Sequence, residues 1–226
     1  MLQVIENVLP PDALRSLRTR LDDAPWRSGA ATAGDVARAV KHNRQADDTA
    51  PAVRALAGEL ATRPGAAARP AAAARPAAIH PPRFNRYGVG EQYGTHVDAA
   101  VMWPAGHGRP LRCDLSLTLF LSDPDDYDGG VLEIETSYGV QEVKLPAGDL
   151  VLYPARSLHR VSPVTRGERL AMFTWIESLV SDEMLRQCLF ELDESIRALR
   201  GAGEATATAL RLTGVYHNLL RHCAGR

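Results

Sequence analysis

The chain has few cysteines, no long apolar run and no excess of one charge. Its three cysteines, Cys113, Cys188 and Cys223, lie far apart and form no Cys-x-x-Cys pair. This argues against a disulfide framework or a zinc ribbon and fits a reducing compartment. No stretch approaches the roughly 18 apolar residues of a membrane-spanning helix, so we expect no membrane partner. The formal net charge of -1 gives no basic surface for nucleic acid.

The N-terminal segment lacks a recognisable targeting signal. Residues 1–21 have no basic start, no long apolar stretch and no cleavage site, so we expect a cytoplasmic protein. A chain of 226 residues can form one sizeable domain with a helical appendage. Changes of pattern along it predict three parts: a support region over 1–83, a core over 84–180 and a helical extension over 181–226.

Two short helices are predicted in the first part. Leu14, Leu17 and Leu21 share one face of a helix that Pro25 ends. A second helix is predicted over 49–62, where apolar residues again share a face.

Residues 63–83 form an Ala/Pro/Arg-rich segment. Its repeated Arg-Pro pairs prevent one continuous helix. We interpret the segment as a mobile surface connection. A basic docking patch is the alternative, which the small number of arginines disfavours.

The second part has the pattern of a strand-rich domain. Short segments that alternate in polarity or are continuously apolar are separated by turn residues such as those of 123–130, which favours a sandwich or barrel over a βαβ fold. The predicted strands are 84–87, 115–120, 131–135, 140–145, 150–153 and 169–176.

The third part is predicted to be helical. Ser181 is a candidate cap, and apolar residues from Leu185 to Leu199 recur at helical spacing up to the break at 201–203. A second helix is expected to carry Leu212, Val215, Tyr216 and Leu219. The apolar faces need a partner, either the strand-rich part or another copy of the chain, so a homo-oligomer is one expectation.

A possible metal site lies in the strand-rich part. In the segment His96-Val97-Asp98, extended backbone places the first and third side chains on the same side. His159 follows a predicted strand and can meet them across the core. Two imidazoles and one carboxylate are the ligands of non-haem Fe(II) centres with open coordination positions. The triplet alone is a weak motif, and its strand-rich setting strengthens it.

Arg169 is a candidate anion-binding residue. On a strand it shares a face with Ala171, Phe173 and Trp175, and a cation on an apolar face is costly unless it is paired. It can therefore anchor an anionic co-substrate, with the small Ala171 leaving room for it. The alternative is a buried ion pair with one of three glutamates, Glu133, Glu135 or Glu168.

Long blocks of the sequence resemble one family, the PKHD-type hydroxylases, which are related to the prolyl 4-hydroxylase group of Fe(II)/2-oxoglutarate dioxygenases. The resemblance runs essentially from end to end, and its long central blocks are far more specific than the triplet. The matching blocks are residues 84–101, 114–139, 143–180, 189–193 and 216–221.

The resemblance implies a mainly β fold with a double-stranded β-helix (jelly-roll) core, N-terminal helices and a C-terminal helical extension. It implies that His96, Asp98 and His159 bind Fe(II) and that Arg169 holds the distal carboxylate of 2-oxoglutarate. Tyr87 matches a tyrosine that lines the co-substrate pocket, with plain core packing as the alternative.

The same resemblance implies a reaction that consumes O2 and 2-oxoglutarate, releases succinate and CO2, and hydroxylates a small-molecule or peptide substrate. L-ascorbate is implied as a reductant, and a link to iron uptake is suggested. The alternative function is a non-catalytic jelly-roll module that binds iron or a small ligand.

The chain departs from the family pattern in 63–83, where more aromatic and aliphatic residues are expected. His107, in the loop that also holds Trp103, is a tempting extra ligand. We interpret it as a solvated loop residue or a substrate contact, because three ligands are already available.

Overall fold

The structure is a computed structural model that describes residues 2–32, 34–62, 72–105, 108–202 and 207–224. Within these ranges, no helix combines the length and the apolar composition needed to cross a bilayer. All strand pairs named below are antiparallel.

The larger sheet, here the major sheet, contains β1 (Gln3–Ile5), β2 (Trp26–Ser28), β4 (Arg44–Ala46), β5 (Pro76–Ile79), β6 (Arg83–Tyr87), β10 (Leu115–Phe120), β14 (Leu150–Pro154) and β17 (Arg169–Ser178). Its order is β1-β14-β10-β17-β6-β4-β2, and β5 pairs with β17. The long strand β17 therefore lies at the middle of the sheet.

The smaller sheet, here the minor sheet, contains β3 (Lys41–His42), β7 (Gln92–His96), β12 (Leu132–Thr136), β13 (Gly139–Val143) and β15 (His159–Val161). Its order is β13-β12-β15-β7-β3. Two ribbons join the remaining strands, β8 (Val101–Met102) with β9 (Leu111–Arg112), and β11 (Tyr127–Gly129) with β16 (Val164–Gly167).

Helices flank the sheets at both ends of the chain. They are α1 (Pro11–Asp22), α2 (Asp35–Arg38), α3 (Pro51–Thr62), α4 (Glu183–Gly201) and α5 (Ala207–Ala224), with short 3-10 helices at Gly29–Thr32 and Pro124–Asp126. The cap of α4 is Asp182, whose carboxylate accepts a hydrogen bond from the Leu185 amide at 2.7 Å. The prediction of Ser181 as that cap is therefore wrong by one residue.

Alternation along β10 divides the core into two layers. Leu115, Leu117 and Leu119 pack into an apolar cluster with Leu17 and Leu21 of α1. Burial of each such leucine contributes about 1.5–3 kcal/mol. The even-numbered side chains of β10 point to the other face of the major sheet, where the site lies. There Tyr87, Phe120, Val151 and Tyr153 of the major sheet pack with Leu132, Ile134, Val143 and Val161 of the minor sheet.

The predicted architecture is confirmed. Two antiparallel sheets share a core, as in a jelly roll, and helices precede and follow them. The strand over 115–120 lies where the sequence pattern placed it, and the helix predicted over 49–62 spans 51–62.

The Ala/Pro/Arg-rich segment is the main correction. Ala73 and Ala74 are buried, and Pro76–Ile79 pairs with the end of β17, so a mobile connection is wrong for 72–79. Residues 63–71 lie outside the described residues. The composition was misleading for a physical reason. β5 pairs with β17 along one edge only, and a short strand rich in Pro and Ala can form such an edge pairing.

Candidate metal centre

The three predicted ligands meet at one end of the space between the sheets. His96 is the last residue of β7, His159 is the first residue of β15, and the two are directly paired across the minor sheet. Asp98 follows two residues after the end of β7. Strand pairing therefore brings together residues that are distant in sequence.

The geometry suits a single metal ion. The carboxylate of Asp98 lies 4.0 Å from Nε2 of His96 and 3.8 Å from Nε2 of His159, and the three ligand atoms all lie within 4.8 Å of one another. Two ligand atoms about 2.1 Å from one ion are at most about 4.2 Å apart, so both carboxylate–imidazole distances fit.

Both imidazoles have the tautomer that a metal requires. Nδ1 of His96 donates to the Gly94 carbonyl at 2.9 Å, and Nδ1 of His159 donates to the Ser157 carbonyl at 3.0 Å. A carbonyl only accepts hydrogen bonds, so Nδ1 carries a proton, and in the neutral ring Nε2 presents its lone pair. Burial, followed by the nearby His159, lowers the pKa of His96, which favours the neutral form of that ring.

Ser116 orients the carboxylate, a role that the sequence alone did not predict. Its hydroxyl, on the inward face of β10, donates to Oδ2 of Asp98 at 2.5 Å. The available signal was its even-numbered position between the buried leucines of that strand. Partners of this kind fix a ligand's orientation before the metal arrives.

Replacing Ser116 by alanine is expected to weaken Fe(II) binding about 10–100-fold, the usual effect of losing a hydrogen bond to a metal ligand. Anaerobic calorimetric titration measures the affinity. Ser195→Ala, which removes an exposed hydroxyl from α4, is the matched control. Equal affinities of the two variants would contradict the orienting role.

Arg169 is almost completely buried, with 1% of its surface exposed. Its guanidinium lies 5.4 Å from the ring centre of Tyr87 and 5.1 Å from that of Phe120. Its Nε and Nη1 atoms have no hydrogen-bond partner among the described residues, and neither does the hydroxyl of Tyr127. Such unsatisfied buried donors are expensive and are suited to an anion that enters the cavity.

The alternative of a structural ion pair is not supported by the described residues. Glu168 pairs with Arg44 at 2.9 Å and with Arg86 at 3.2 Å. Glu133 pairs with Arg160 at 2.7 Å. No carboxylate of the described residues lies within ion-pair distance of Arg169.

Gly130 holds the backbone against the Arg169 side chain. It has a φ of +59°, and a Cβ atom there would lie 2.9 Å from the Tyr127 ring and 3.1 Å from Cδ of Arg169. The Gly129-Gly130 turn thus has a packing role at the site as well as a backbone role. The sequence showed the turn but not what lies against it.

Replacing Gly130 by alanine is expected to destabilise the protein by about 1–2 kcal/mol, the cost of a left-handed non-glycine residue. It should also raise the Michaelis constant for 2-oxoglutarate several-fold, because the new methyl group displaces Arg169. Gly139→Ala is the control, since Gly139 has a φ of +102° with nothing within 4 Å of a Cβ atom. Urea unfolding and co-substrate kinetics separate the effects. If both variants leave the Michaelis constant unchanged, Gly130 does not position Arg169.

A cavity of about 550 Å³ connects these groups. Its walls include the three candidate ligands, Arg169 and Tyr87. The ring of Tyr87 both packs in the core and lines the cavity. Burial raises the pKa of its phenol to about 12. Thr118 also lines the cavity, whereas Phe120 contacts Arg169. Trp103 lies at the rim and is exposed, and His107 lies outside the described residues.

Two further cations on the wall had no signal in the sequence pattern. Lys41 is buried on β3, and Arg83 begins β6. Burial, followed by the charge of Arg83, lowers the pKa of Lys41 to about 8. Both side chains line the same cavity as the candidate ligands.

Structural comparison supports the fold. A Pseudomonas putida prolyl-4-hydroxylase is 21% identical, with a TM-score of 0.52 over 78% of this chain and 92% of that chain. HygX from Streptomyces hygroscopicus, with nickel and 2-oxoglutarate bound, is 16% identical, with a TM-score of 0.55 over 76% of this chain and 81% of that chain. At these identities the likeness concerns the fold alone.

Sequence comparison identifies the family. The model of the 2OG-Fe(II) oxygenase superfamily matches residues 82–177, and that of the PKHD-type hydroxylase C-terminal domain matches residues 183–225. PKHD-type hydroxylases of Acidovorax ebreus and Teredinibacter turnerae are 51% and 52% identical, each over 99% of both chains. The chain therefore belongs to the PKHD-type hydroxylases, a family of 2-oxoglutarate- and iron-dependent oxygenases.

Proposed function

We propose that this protein uses Fe(II), 2-oxoglutarate and O2 to hydroxylate a C–H bond of a small-molecule or peptide substrate, with release of succinate and CO2. The observation that carries the proposal is the sharing of one cavity by three candidate metal ligands and a buried arginine without an anionic partner.

The residues fit the groups that the family uses. His96, Asp98 and His159 would hold Fe(II), since two imidazoles and a carboxylate leave other coordination positions for co-substrate and O2. Arg169 would hold the distal carboxylate of 2-oxoglutarate, because its unsatisfied donors match a carboxylate geometrically. When bound, the iron and co-substrate supply the oxidising chemistry.

The protein's own groups prepare the site for that chemistry. The Gly94 and Ser157 carbonyls hold the imidazoles, and Ser116 holds the carboxylate. Tyr93 stacks on His96 with ring centres 3.6 Å apart, which limits rotation of the imidazole. These contacts orient the ligands, and the packed rings around Arg169 exclude water.

The proposal is tested by succinate release. Wild-type protein with Fe(II) and 2-oxoglutarate should release succinate in an O2-dependent manner, and substrates from a panel of peptides, amino acids and siderophore-like compounds should raise that rate. His96→Ala is the blank. If wild-type protein that binds Fe(II) releases no more succinate than the His96→Ala blank, with or without members of the panel, the protein is a binding module instead.

Two accompanying proposals are tested in the same assay. L-ascorbate is proposed as the reductant that restores over-oxidised iron, so its omission should shorten the active period rather than lower the initial rate. A link to iron uptake is proposed through the siderophore-like members of the panel, and stimulation by peptides alone would remove it. A cytoplasmic location is likewise a proposal, and fractionation of cells tests it.

A further inference from the structure

The geometry points to Lys41 as a second anion-binding position in the cavity. It would bind a carboxylate of a substrate that also carries an apolar or aromatic group. The inference rests on the proposed function, because it assigns a substrate class to that site. It makes Lys41 a specificity-determining residue, distinct from the position of the co-substrate.

Lys41 is placed close to the candidate metal centre by strand pairing. It lies on β3 directly opposite Tyr93 of β7, and only 7% of its surface is exposed. Its Nζ atom lies 5.2 Å from the ring centre of Tyr93 and 5.9 Å from that of Phe173. Both rings line the cavity, and the Tyr93 ring in turn stacks on His96.

The charge of Lys41 has no acidic partner among the described residues. Among the described residues, Nζ donates to two neutral oxygens, Oγ1 of Thr32 at 3.2 Å and Oε1 of Gln45 at 3.4 Å. Arg83 differs in this respect, because it pairs with Asp48 at 3.3 Å. The charge of Asp98 offsets part of the effect of burial and of Arg83 on the pKa of Lys41, but no carboxylate of the described residues is in ion-pair contact with it. A buried ammonium without such a contact is costly, and a bound carboxylate would reduce that cost.

The wall of the cavity has an excess of positive charge. Among its described lining residues the cations are Lys41, Arg83 and Arg169, and the one acid is Asp98, which is proposed to bind the metal. The surroundings of Lys41 therefore favour an anion. A carboxylate balances the single ammonium, whereas a phosphate monoester is close to doubly charged at pH 7.

Lys41 and Arg169 occupy different positions on the cavity wall. Arg169 and Phe173 are four residues apart on β17, which corresponds to about 13 Å of strand, and Nζ of Lys41 lies by the Phe173 ring. The guanidinium of Arg169 lies instead by the rings of Tyr87 and Phe120, so we assign the co-substrate and the anion at Lys41 to different positions. The cavity is also lined by Phe173, Trp175 and Met102, which would pack against an apolar or aromatic group.

The composition of the chain permits a direct test on the unmodified protein. Lys41 and Lys144 are its two lysines, so labelling with 13C-lysine gives two side-chain Cε signals. Protein loaded with Zn(II) and 2-oxoglutarate, which occupy the metal and Arg169 positions without turnover, is titrated with 4-fluorobenzoate, 4-fluorobenzamide and 4-fluorophenyl phosphate. We expect 4-fluorobenzoate to shift the Lys41 signal saturably and the Lys144 signal to stay in place.

Substitution at Lys41 supplies the second readout. By 19F line broadening, the Kd of 4-fluorobenzoate should rise at least about tenfold in Lys41→Met, as expected for loss of a charge-assisted hydrogen bond, and should be largely restored in Lys41→Arg. The Michaelis constant for 2-oxoglutarate should stay unchanged in Lys41→Met.

Three results would overturn the inference: an unmoved Lys41 signal, an equal response to the benzamide, or a raised Michaelis constant for 2-oxoglutarate in Lys41→Met. Tighter binding of the phosphate than of the benzoate would overturn the assignment to a carboxylate. The titration involves no turnover, so absence of O2-dependent succinate release would count against the proposed hydroxylase and leave the result at Lys41 readable.

Discussion

Replacing Asp98 by alanine is expected to abolish substrate-driven succinate formation and to reduce Fe(II) affinity by more than the about 10–100-fold that loss of a supporting contact costs. Asp98 is the one carboxylate among the three candidate ligands, and it lies between the two imidazoles, 4.0 Å and 3.8 Å from their Nε2 atoms. Its removal leaves two neutral ligands for a divalent ion. Anaerobic titration with Fe(II) and a succinate assay measure the two effects.

Asp128→Ala is the matched control for that substitution. Asp128 is an exposed aspartate on β11 that pairs with Arg166 at 2.8 Å and is not among the residues that line the cavity, so its loss removes an acid of the same size from outside the site. Surface ion pairs contribute about 0–1 kcal/mol, and Fe(II) affinity should therefore match that of the wild type. Unchanged turnover in Asp98→Ala would remove Asp98 from the ligand set.

The sequence was sufficient for the parts of the site that depend on local pattern. The alternation of leucines over 115–120 placed β10 correctly. The spacing of His96 and Asp98, the strand-rich setting and the family resemblance together predicted that His159 meets them. In the structure the antiparallel pairing of β7 with β15 brings the two histidines side by side.

The sequence was not sufficient where a residue's role depends on a neighbour distant in the chain. Ser116 looked like any polar residue of an alternating strand, yet it donates to Asp98. Lys41 lies in a short segment without clear periodicity, and its position opposite Tyr93 depends on strand pairing. The strand Pro76–Ile79 was missed because its composition suggested a connection. Its conformation is determined by the end of β17, where β5 pairs beyond the residues that pair with β6.

Two cations of the cavity wall have no acidic partner among the described residues, and together they would let one cavity distinguish the two proposed anions. Arg169 lies between the rings of Tyr87 and Phe120, and Lys41 lies between those of Tyr93 and Phe173. Each cation contacts aromatic faces in place of an acid. In the absence of ligands this arrangement lowers the stability of the folded protein, as is common at functional sites. Binding of each anion would restore part of that stability.

Replacing Arg169 by methionine is expected to raise the Michaelis constant for 2-oxoglutarate about 10–150-fold, because each hydrogen bond to a charged group is worth about 1.5–3 kcal/mol. Lysine should restore only part of the affinity, since a point charge does not reproduce the two parallel hydrogen bonds of a guanidinium. The thermal stability of the metal-free protein supplies a second readout. Methionine removes a buried cation without an acidic partner among the described residues, so the midpoint should not fall below that of the wild type.

The control for this substitution is Arg166→Met, which removes an exposed arginine paired with Asp128 and should leave co-substrate kinetics unchanged. The two readouts together separate the roles that an arginine in this position can have. A co-substrate anchor gives weaker 2-oxoglutarate binding with stability retained, whereas a buried structural partner gives lost stability, on the order of 3–5 kcal/mol when one member of a buried pair is removed. A strong fall in the midpoint with an unaltered Michaelis constant would therefore make Arg169 structural and leave the distal carboxylate without its proposed anchor.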